Sequence, residues 1–244
     1  MDRALYVAMS GAAQTLRAQA LNHHNLANAS TTGFKAELAV AGAVVIEGEG
    51  FGSRINTQNF AIGTDGRSGG LQATGRSLDI ALKQDRWLAV QAADGREAYT
   101  QAGDLALDAS GTLRTASGLA VLGEGGPITL PAASSLDIGS DGTVSIMAAG
   151  QSGAVSAGKL RVVSASTTQL ERSGNGLFSA RKGFSPEPAT GAVLSSGVIE
   201  SSNVNVADAM VTMIELARNF ELQTRAMKAA DENAQQAATL LRMK

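Results

Sequence analysis

The segment Gly66-Arg67-Ser68-Gly69-Gly70 has the G-x-S-x-G spacing that presents a serine nucleophile on a sharp turn between a strand and a helix. A serine hydrolase built on it would need Ser68 activated by His23 or His24, the only histidines in the chain. Gly69 and Gly70 close the segment and no helical period follows, so it reads as a flexible glycine–serine loop rather than a nucleophile turn. His23 and His24 are neighbours on a helical stretch and point about 100° apart. They cannot share a metal ion, and no second ligand pair accompanies them. Gly48-Glu49-Gly50-Phe51-Gly52 lacks both the Gly-Lys-Ser/Thr ending of a phosphate loop and the spacing of a dinucleotide fingerprint. None of the Asp-Gly pairs sits in a calcium-loop pattern. Asp79, Asp85, Asp94 and Asp104 are scattered over surface-like positions, with no two of them paired for acid–base work. The expectation is no catalytic residue, no metal site and no cofactor.

Composition narrows the class further. The chain has 244 residues, 44% hydrophobic content, 17% charged residues and a formal net charge of -2. It has no basic excess to hold a nucleic acid. Aromatic residues make up 4%, too few for broad stacking surfaces, which counts against a glycan-binding module as well as a nucleic-acid one. There is no cysteine, hence no disulfide, thiolate metal site or cysteine nucleophile. The apolar run from Ala39 to Ile46 is far shorter than the roughly 20 residues that cross a bilayer, so no membrane insertion is expected. Asp2 and Arg3 cancel, and Ser10, Gln14 and Arg17 interrupt what would be the apolar part of a signal peptide. Export, if it occurs, is expected without signal cleavage.

The elements that must carry function lie at the two ends. Residues 3 to about 28 read as a helix of ~39 Å, at about 1.5 Å per residue. In it Leu5, Met9, Ala12 and Leu16 recur with the spacing of one face, and Ala4, Ala8, Ala13, Ala18 and Ala20 keep the rest slim. Residues 206 to 243 read as a second helix, roughly 57 Å long if complete. There Val206, Met210, Met213, Ala217, Phe220, Thr224, Met227, Asp231, Ala234, Ala238 and Leu241 alternate by four and three, the spacing of a coiled-coil seam. Asn205 is placed to cap it, and Asp208 suits the positive end of its dipole.

Between the helices the period changes to two. Leu78, Ile80 and Leu82, then Leu105 and Leu107, Leu136 and Ile138, and Val144 and Ile146 alternate as strands. Asp94-Gly95, Ser110-Gly111, Asp141-Gly142 and Asn175-Gly176 supply tight turns. The expected fold is α+β: long N- and C-terminal helices (1–35 and 201–244) packed as a discontinuous, coiled-coil-like assembly domain, an extended connector (36–70) with a short strand near Val44 to Ile46, and a mainly β central domain (71–200). A seam of this length cannot be buried by one helix alone, so the ends are expected to meet both each other and other subunits.

Asn25-Leu26-Ala27-Asn28-Ala29-Ser30-Thr31-Thr32-Gly33-Phe34-Lys35 resembles the N-terminal signature of the flagellar rod and hook protein family. Ser202-Asn203-Val204-Asn205-Val206, continuing through Met213-Ile214 to Arg218-Asn219-Phe220-Glu221, is similar to its C-terminal signature, with Phe220 where the family usually has Tyr. Thr74-Gly75-Arg76-Ser77-Leu78-Asp79-Ile80-Ala81 and Ala98-Tyr99-Thr100 match its middle, with departures at Arg86-Trp87 and Gln101. The stretch from Leu122 to Pro131 resembles the F-type, proximal rod members most, and the G-type, distal members next.

The resemblance implies a structural subunit of the bacterial flagellar basal-body rod. Such a subunit leaves the cell through the flagellar type III export apparatus and adds to a helical drive shaft in the periplasm. Its partners would be copies of itself, other proximal and distal rod proteins, the membrane-ring adaptor and the export apparatus, with no small-molecule substrate. Asn25, Leu26, Asn28, Gly33, Phe34, Asn203, Val204 and Asn205 then join the helix faces as expected assembly residues.

Overall fold

The computed structural model describes residues 3–45, 55–131, 135–147, 153–173 and 176–242. Ile46, the run from Gly48 to Gly52, and Asn175 lie outside these residues. The fold is α+β, with a mainly β body and a helix at each end. Helix α1 spans Arg3–Ala27 and helix α2 spans Val206–Arg242. Asn205 caps α2: its Oδ1 accepts from the backbone N–H groups of Ala207 at 3.0 Å and Asp208 at 3.4 Å. This pairs two donors that a helix start otherwise leaves open.

The chain divides into two compact units: Met1–Ala27 with Glu37–Gly63 and Asn205–Lys244, and Asn28–Ala36 with Thr64–Val204. In the first unit α1 and α2 lie against each other. Asn22 Nδ2 donates to the carbonyl of Ala209 at 2.7 Å, while Gly11, further toward the N-terminus, faces Gln223. A residue earlier in α1 meets one later in α2, so the helices run antiparallel. Residues 37–63, expected as a connector, group with the helices, and the strands Glu37–Val45 and Ile55–Thr64 pair with each other. The side-chain amide of Asn25 acts as a backbone surrogate for the first of these strands. Its Nδ2 donates to Glu37 O and its Oδ1 accepts from Glu37 N–H, both at 2.8 Å.

The second unit is built on an antiparallel sheet. Its path runs Leu170–Arg172, Phe178–Ala180, Glu97–Thr100, Arg86–Gln91, Ala120–Gly123, Leu113–Thr115, Leu105–Leu107. A separate sheet joins Ser135–Ile138, Thr143–Met147 and Val155–Lys159. Leu194–Ser196 pairs with Ile80–Leu82, and Val198–Glu200 with Leu71–Ala73. The hairpins read from Asp94-Gly95 and Asp141-Gly142 are present, with φ of 81° at Gly95 and 86° at Gly142.

The strand Arg86–Gln91 is buried on both faces. Leu88 and Val90 join a large core with Ile80, Leu105, Leu113 and Val121. Trp87 and Ala89 face the opposite way, onto Tyr99, Val163, Leu170 and Phe178. Trp87 is fully buried; its ring lies 4.6 Å from that of Phe178 and its Nε1 donates to Ala165 O at 2.8 Å.

The alternation around Leu78 to Leu82 does not divide inside from outside as the sequence suggested. Ile80, Ala81 and Leu82 are all buried, and Asp79 is only 2% exposed. Asp79 also sits directly opposite Asp104 in an antiparallel bridge, which corrects the reading of these carboxylates as unpaired surface groups.

Trp87 carries the second core, so Trp87→Ala should lower the stability of the β body by about 3–5 kcal/mol. Trp87→Phe, which keeps a ring but abandons the Ala165 carbonyl, should lose roughly 1–3 kcal/mol. Urea unfolding followed by far-UV circular dichroism measures both, since the chain's one tryptophan is the residue replaced.

Candidate functional site

Two places bring the signature residues into contact: the helix pair of the first unit, and a joint inside the second. Along α2 the least exposed positions are Ala209, Met213, Leu216, Phe220, Gln223, Met227 and Ala230. They alternate by four and three, and Thr224 beside them is half-buried. On α1 the buried residues are alanines, Ala8 and Ala12. The structure therefore places Ala12, Met213, Phe220 and Met227 on the sheltered sides of the two helices. Leu5, Met9, Leu16, Val206, Met210 and Ala217 stand on exposed sides, with Met9 at 52%, Leu16 at 49% and Met210 at 49% exposure. Tyr6, Val211, Ile214 and Leu222 are exposed beside them. Leu241 lies within α2, and its side chain is outside the described residues.

The joint gathers three segments remote in sequence: 33–36, 65–70 and 200–203. Lys35 and Glu200 are sealed from solvent, and Lys35 Nζ donates to Glu200 Oε1 at 2.8 Å. The same oxygen accepts from Gly69 N–H at 2.8 Å, and Lys35 Nζ also donates to Arg67 O at 3.0 Å. Removing two ions from water costs several kcal/mol each, and only close pairing with further hydrogen bonds offsets it. Both are present here.

Asn203 uses its whole amide. Oδ1 accepts from Ala36 N–H at 2.7 Å, and Nδ2 donates to Asp65 O at 3.1 Å and Arg67 O at 3.0 Å. Backbone bonds complete the closure, from Gly33 N to Glu200 O at 2.7 Å and from Asn203 N to Phe34 O at 3.3 Å. Ser202 caps the same turn, its Oγ accepting from Val204 N–H at 3.2 Å.

Gly33 has φ of 65°, and a Cβ on it would fall 2.2 Å from the carbonyl oxygen of Gln101, so no other residue fits. Phe34 is buried, and the Arg172 guanidinium lies 4.9 Å over its ring and 5.1 Å over Phe178. Arg172 also donates to the carbonyl of Lys35. Asp65 is clasped by Arg67, whose Nη2 reaches Oδ2 at 2.6 Å. That bond holds the Asp65 carboxyl below its usual range against the opposing effect of burial.

The glycine–serine segment thus has a structural reason. A Cβ at Gly69 would lie 1.9 Å from the carbonyl oxygen of Ser201, and its N–H serves Glu200. The strand Leu71–Ala73 follows where a nucleophile turn requires a helix, and Ser68 is exposed. His23 and His24 are both exposed, and His24 Nδ1 lies 3.4 Å from Glu37 Oε1. Among the described residues no group of three or more His, Asp or Glu gathers for a metal, and no helix is long and apolar enough to cross a membrane.

Sequence reading missed Glu200 and Asp65 and treated Lys35 only as part of a signature. The available signal was a single lysine directly after Gly33-Phe34 and a single glutamate in an uncharged stretch directly before the Ser201-Ser202-Asn203 turn.

Three family profiles match this architecture. "Flagella basal body rod protein" covers residues 5–35, "Flagellar hook protein FlgE/F/G D1 domain" residues 81–146, and "Flagellar basal body rod FlgEFG protein C-terminal" residues 195–240. The flagellar basal-body rod protein FlgF of Salmonella typhimurium is 43% identical over 253 residues, covering 100% of both chains. FlgF of Escherichia coli is 42% identical over the same coverage. FlgG of Bacillus subtilis is 32% identical, covering 99% of this chain and 100% of its own. The chain belongs to the flagellar basal-body rod protein family. It is a structural subunit of the rod and not an enzyme, and among relatives it is most like FlgF.

Lys35→Met should destabilise the second unit by about 3–5 kcal/mol, because it strands a buried carboxylate. The double variant Lys35→Met with Glu200→Leu should recover most of that loss, short by about 1–3 kcal/mol for the Gly69 N–H left without an acceptor. Urea unfolding of the two variants beside the unaltered chain measures the difference.

Proposed function

We propose that this chain polymerises in the proximal part of the flagellar rod, the drive shaft that carries torque from the membrane ring to the hook. The carrying observation is full-length similarity to FlgF at 43% and 42% identity, against 32% for FlgG. A distal, FlgG-like position is the second reading and rests on that weaker similarity. Assembly brings together copies of this chain and other rod proteins. The membrane-ring adaptor and the type III export apparatus are its further partners, and it works in the periplasm after export without signal cleavage.

The terminal segments, 1–35 and 201–244, carry the assembly role, the residues 37–63 that group with the helices stand with them, and 71–200 form the β-rich domain. Within the assembly domain Ala12, Met213, Phe220 and Met227 hold the helix pair in coiled-coil fashion. Leu5, Met9, Leu16, Val206, Met210, Ala217 and Leu241 meet neighbouring subunits. Asn25, Leu26, Asn28, Gly33, Phe34, Asn203, Val204 and Asn205 complete the proposed assembly residues. The support is chemical: outside the sheltered stripe the helices leave large apolar side chains in solvent, among them Met9, Leu16, Met210, Ile214 and Leu222. A contact that repeats head to tail without closing builds a helical polymer from such faces.

Leu16→Asp and Met210→Asp place charge on exposed positions, where folding should change by no more than about 0.5 kcal/mol. Thermal melting of the purified full chain should be unaltered, while strains carrying either change should lose swimming and yield no complete basal bodies. Normal rods from both strains would refute the assignment of these faces.

A further inference from the structure

Asp79 and Asp104 face each other across an isolated antiparallel bridge. Ile80 N donates to Gly103 O at 2.9 Å, which puts the flanking residues in the hydrogen-bonding positions and the two aspartates in the narrow one. Opposed Cα atoms in that position are about 4.5 Å apart, with side chains on the same face. Neither backbone carbonyl serves the other strand: Asp79 O accepts from Gly197 N–H at 2.7 Å and Asp104 O from Ala116 N–H at 3.0 Å. Three backbone bonds therefore fix the two aspartates opposite each other, with their side chains on one face.

Asp79 is 2% exposed, and its Oδ1 is closed to solvent and receives no hydrogen bond among the described residues. Arg76 Nη1 stands 3.6 Å from that oxygen, too far to donate to it, while Arg76 Nη2 donates to Leu105 O at 3.2 Å. A buried carboxylate oxygen with no donor is costly, and two like charges directly opposed in a sheet repel. One proton removes both problems.

We propose that Asp79 and Asp104 share a single proton, carried on the Asp104 carboxyl and donated to Asp79 Oδ1, so that residues 76–80 are fastened to residues 103–105 by a bond that releases as pH rises. The step is a proton dissociation: the Asp104 O–H bond breaks, the proton passes to water, and two opposed carboxylates remain with Arg76 as the nearby cation among the described residues. Burial raises the Asp104 pKa above the usual aspartate value; its own backbone N–H opposes this, the Asp79 charge adds to it, and Arg76 opposes it. Residues 196–197 and 115–116, which pack against the pair through Gly197 and Ala116, bring no charged group.

The direction of the pH effect follows. Asp104 holds its proton more tightly folded than unfolded, so the folded chain binds more protons in the interval between the two pKa values. The contribution is complete below the ordinary aspartate pKa and is lost as pH rises through the raised one. Each pKa unit of difference is a tenfold change in the folding constant. The fastened segment leads directly into the strand Ile80–Leu82, which closes on Leu194–Ser196, so acid tightens this part of the body and alkali loosens it.

Asp104→Asn tests this in the full chain, because its amide donates to Asp79 at every pH and cannot ionise. The unaltered chain should lose thermal stability relative to Asp104→Asn as pH rises from about 4 to 7. The carbon-13 signal of the Asp104 carboxyl should titrate above the ordinary value of about 3.9. In Asp79→Asn it should move back toward that value. Melting curves that stay parallel across this range, or an Asp104 carboxyl that titrates at the ordinary value in the unaltered chain, would overturn the proposal. Both readouts stand even if Asp79→Asn fails to fold.

Discussion

The ion pair between Lys35 and Glu200 constrains this molecule more than any other contact. Its partners are 165 residues apart and both are sealed from water. Buried charges survive only when matched and fully hydrogen-bonded. The surrounding residues are dictated by that need. Gly69 must lack a side chain to bring its N–H to Glu200, Arg67 must offer its carbonyl to Lys35, and Asn203 must spend both ends of its amide holding Ala36, Asp65 and Arg67 in register. Gly33, Phe34, Lys35 and Asn203, which belong to the two terminal signatures, stand around this pair.

Much of the fold was legible. Period four-three at the ends and period two between them gave two helices and a β body, and Asn205 marked the start of α2 correctly because capping is local chemistry. The hairpins at Gly95 and Gly142 followed for the same reason. The helix contact was less legible. The four-three count traced a stripe through Val206, Met210, Met213, Ala217, Phe220 and Met227, whereas the sheltered stripe keeps Met213, Phe220 and Met227 but runs through Ala209, Leu216 and Gln223 in place of the others. The two differ by less than a quarter turn, and alanine weighs little in a count of hydrophobicity. The structure shelters Ala8 and Ala12 on α1 and leaves Leu5, Met9 and Leu16 exposed, while on α2 it shelters Met213, Leu216 and Phe220 together with Ala209 and Ala230.

The joint itself was not legible, and the reason is physical. Patterns report which residues prefer water on average, so a buried lysine, glutamate or aspartate is read as surface until its partner is known. Lys35, Glu200 and Asp79 each find partners from distant parts of the chain. The glycine–serine motif misled in the complementary way: its glycines answer to Glu200 and Ser201, not to a reacting serine.

The alanines at the helix contact have a mechanical consequence. Helix axes approach to between about 8 and 10 Å depending on the side chains between them, and Ala8, Ala12, Ala209 and Ala230 allow the short end of that range. Backbones so close leave few rotatable side-chain atoms between them to yield under shear. Sliding one such helix along the other would therefore strain hydrogen-bonded backbone before side chains could give way.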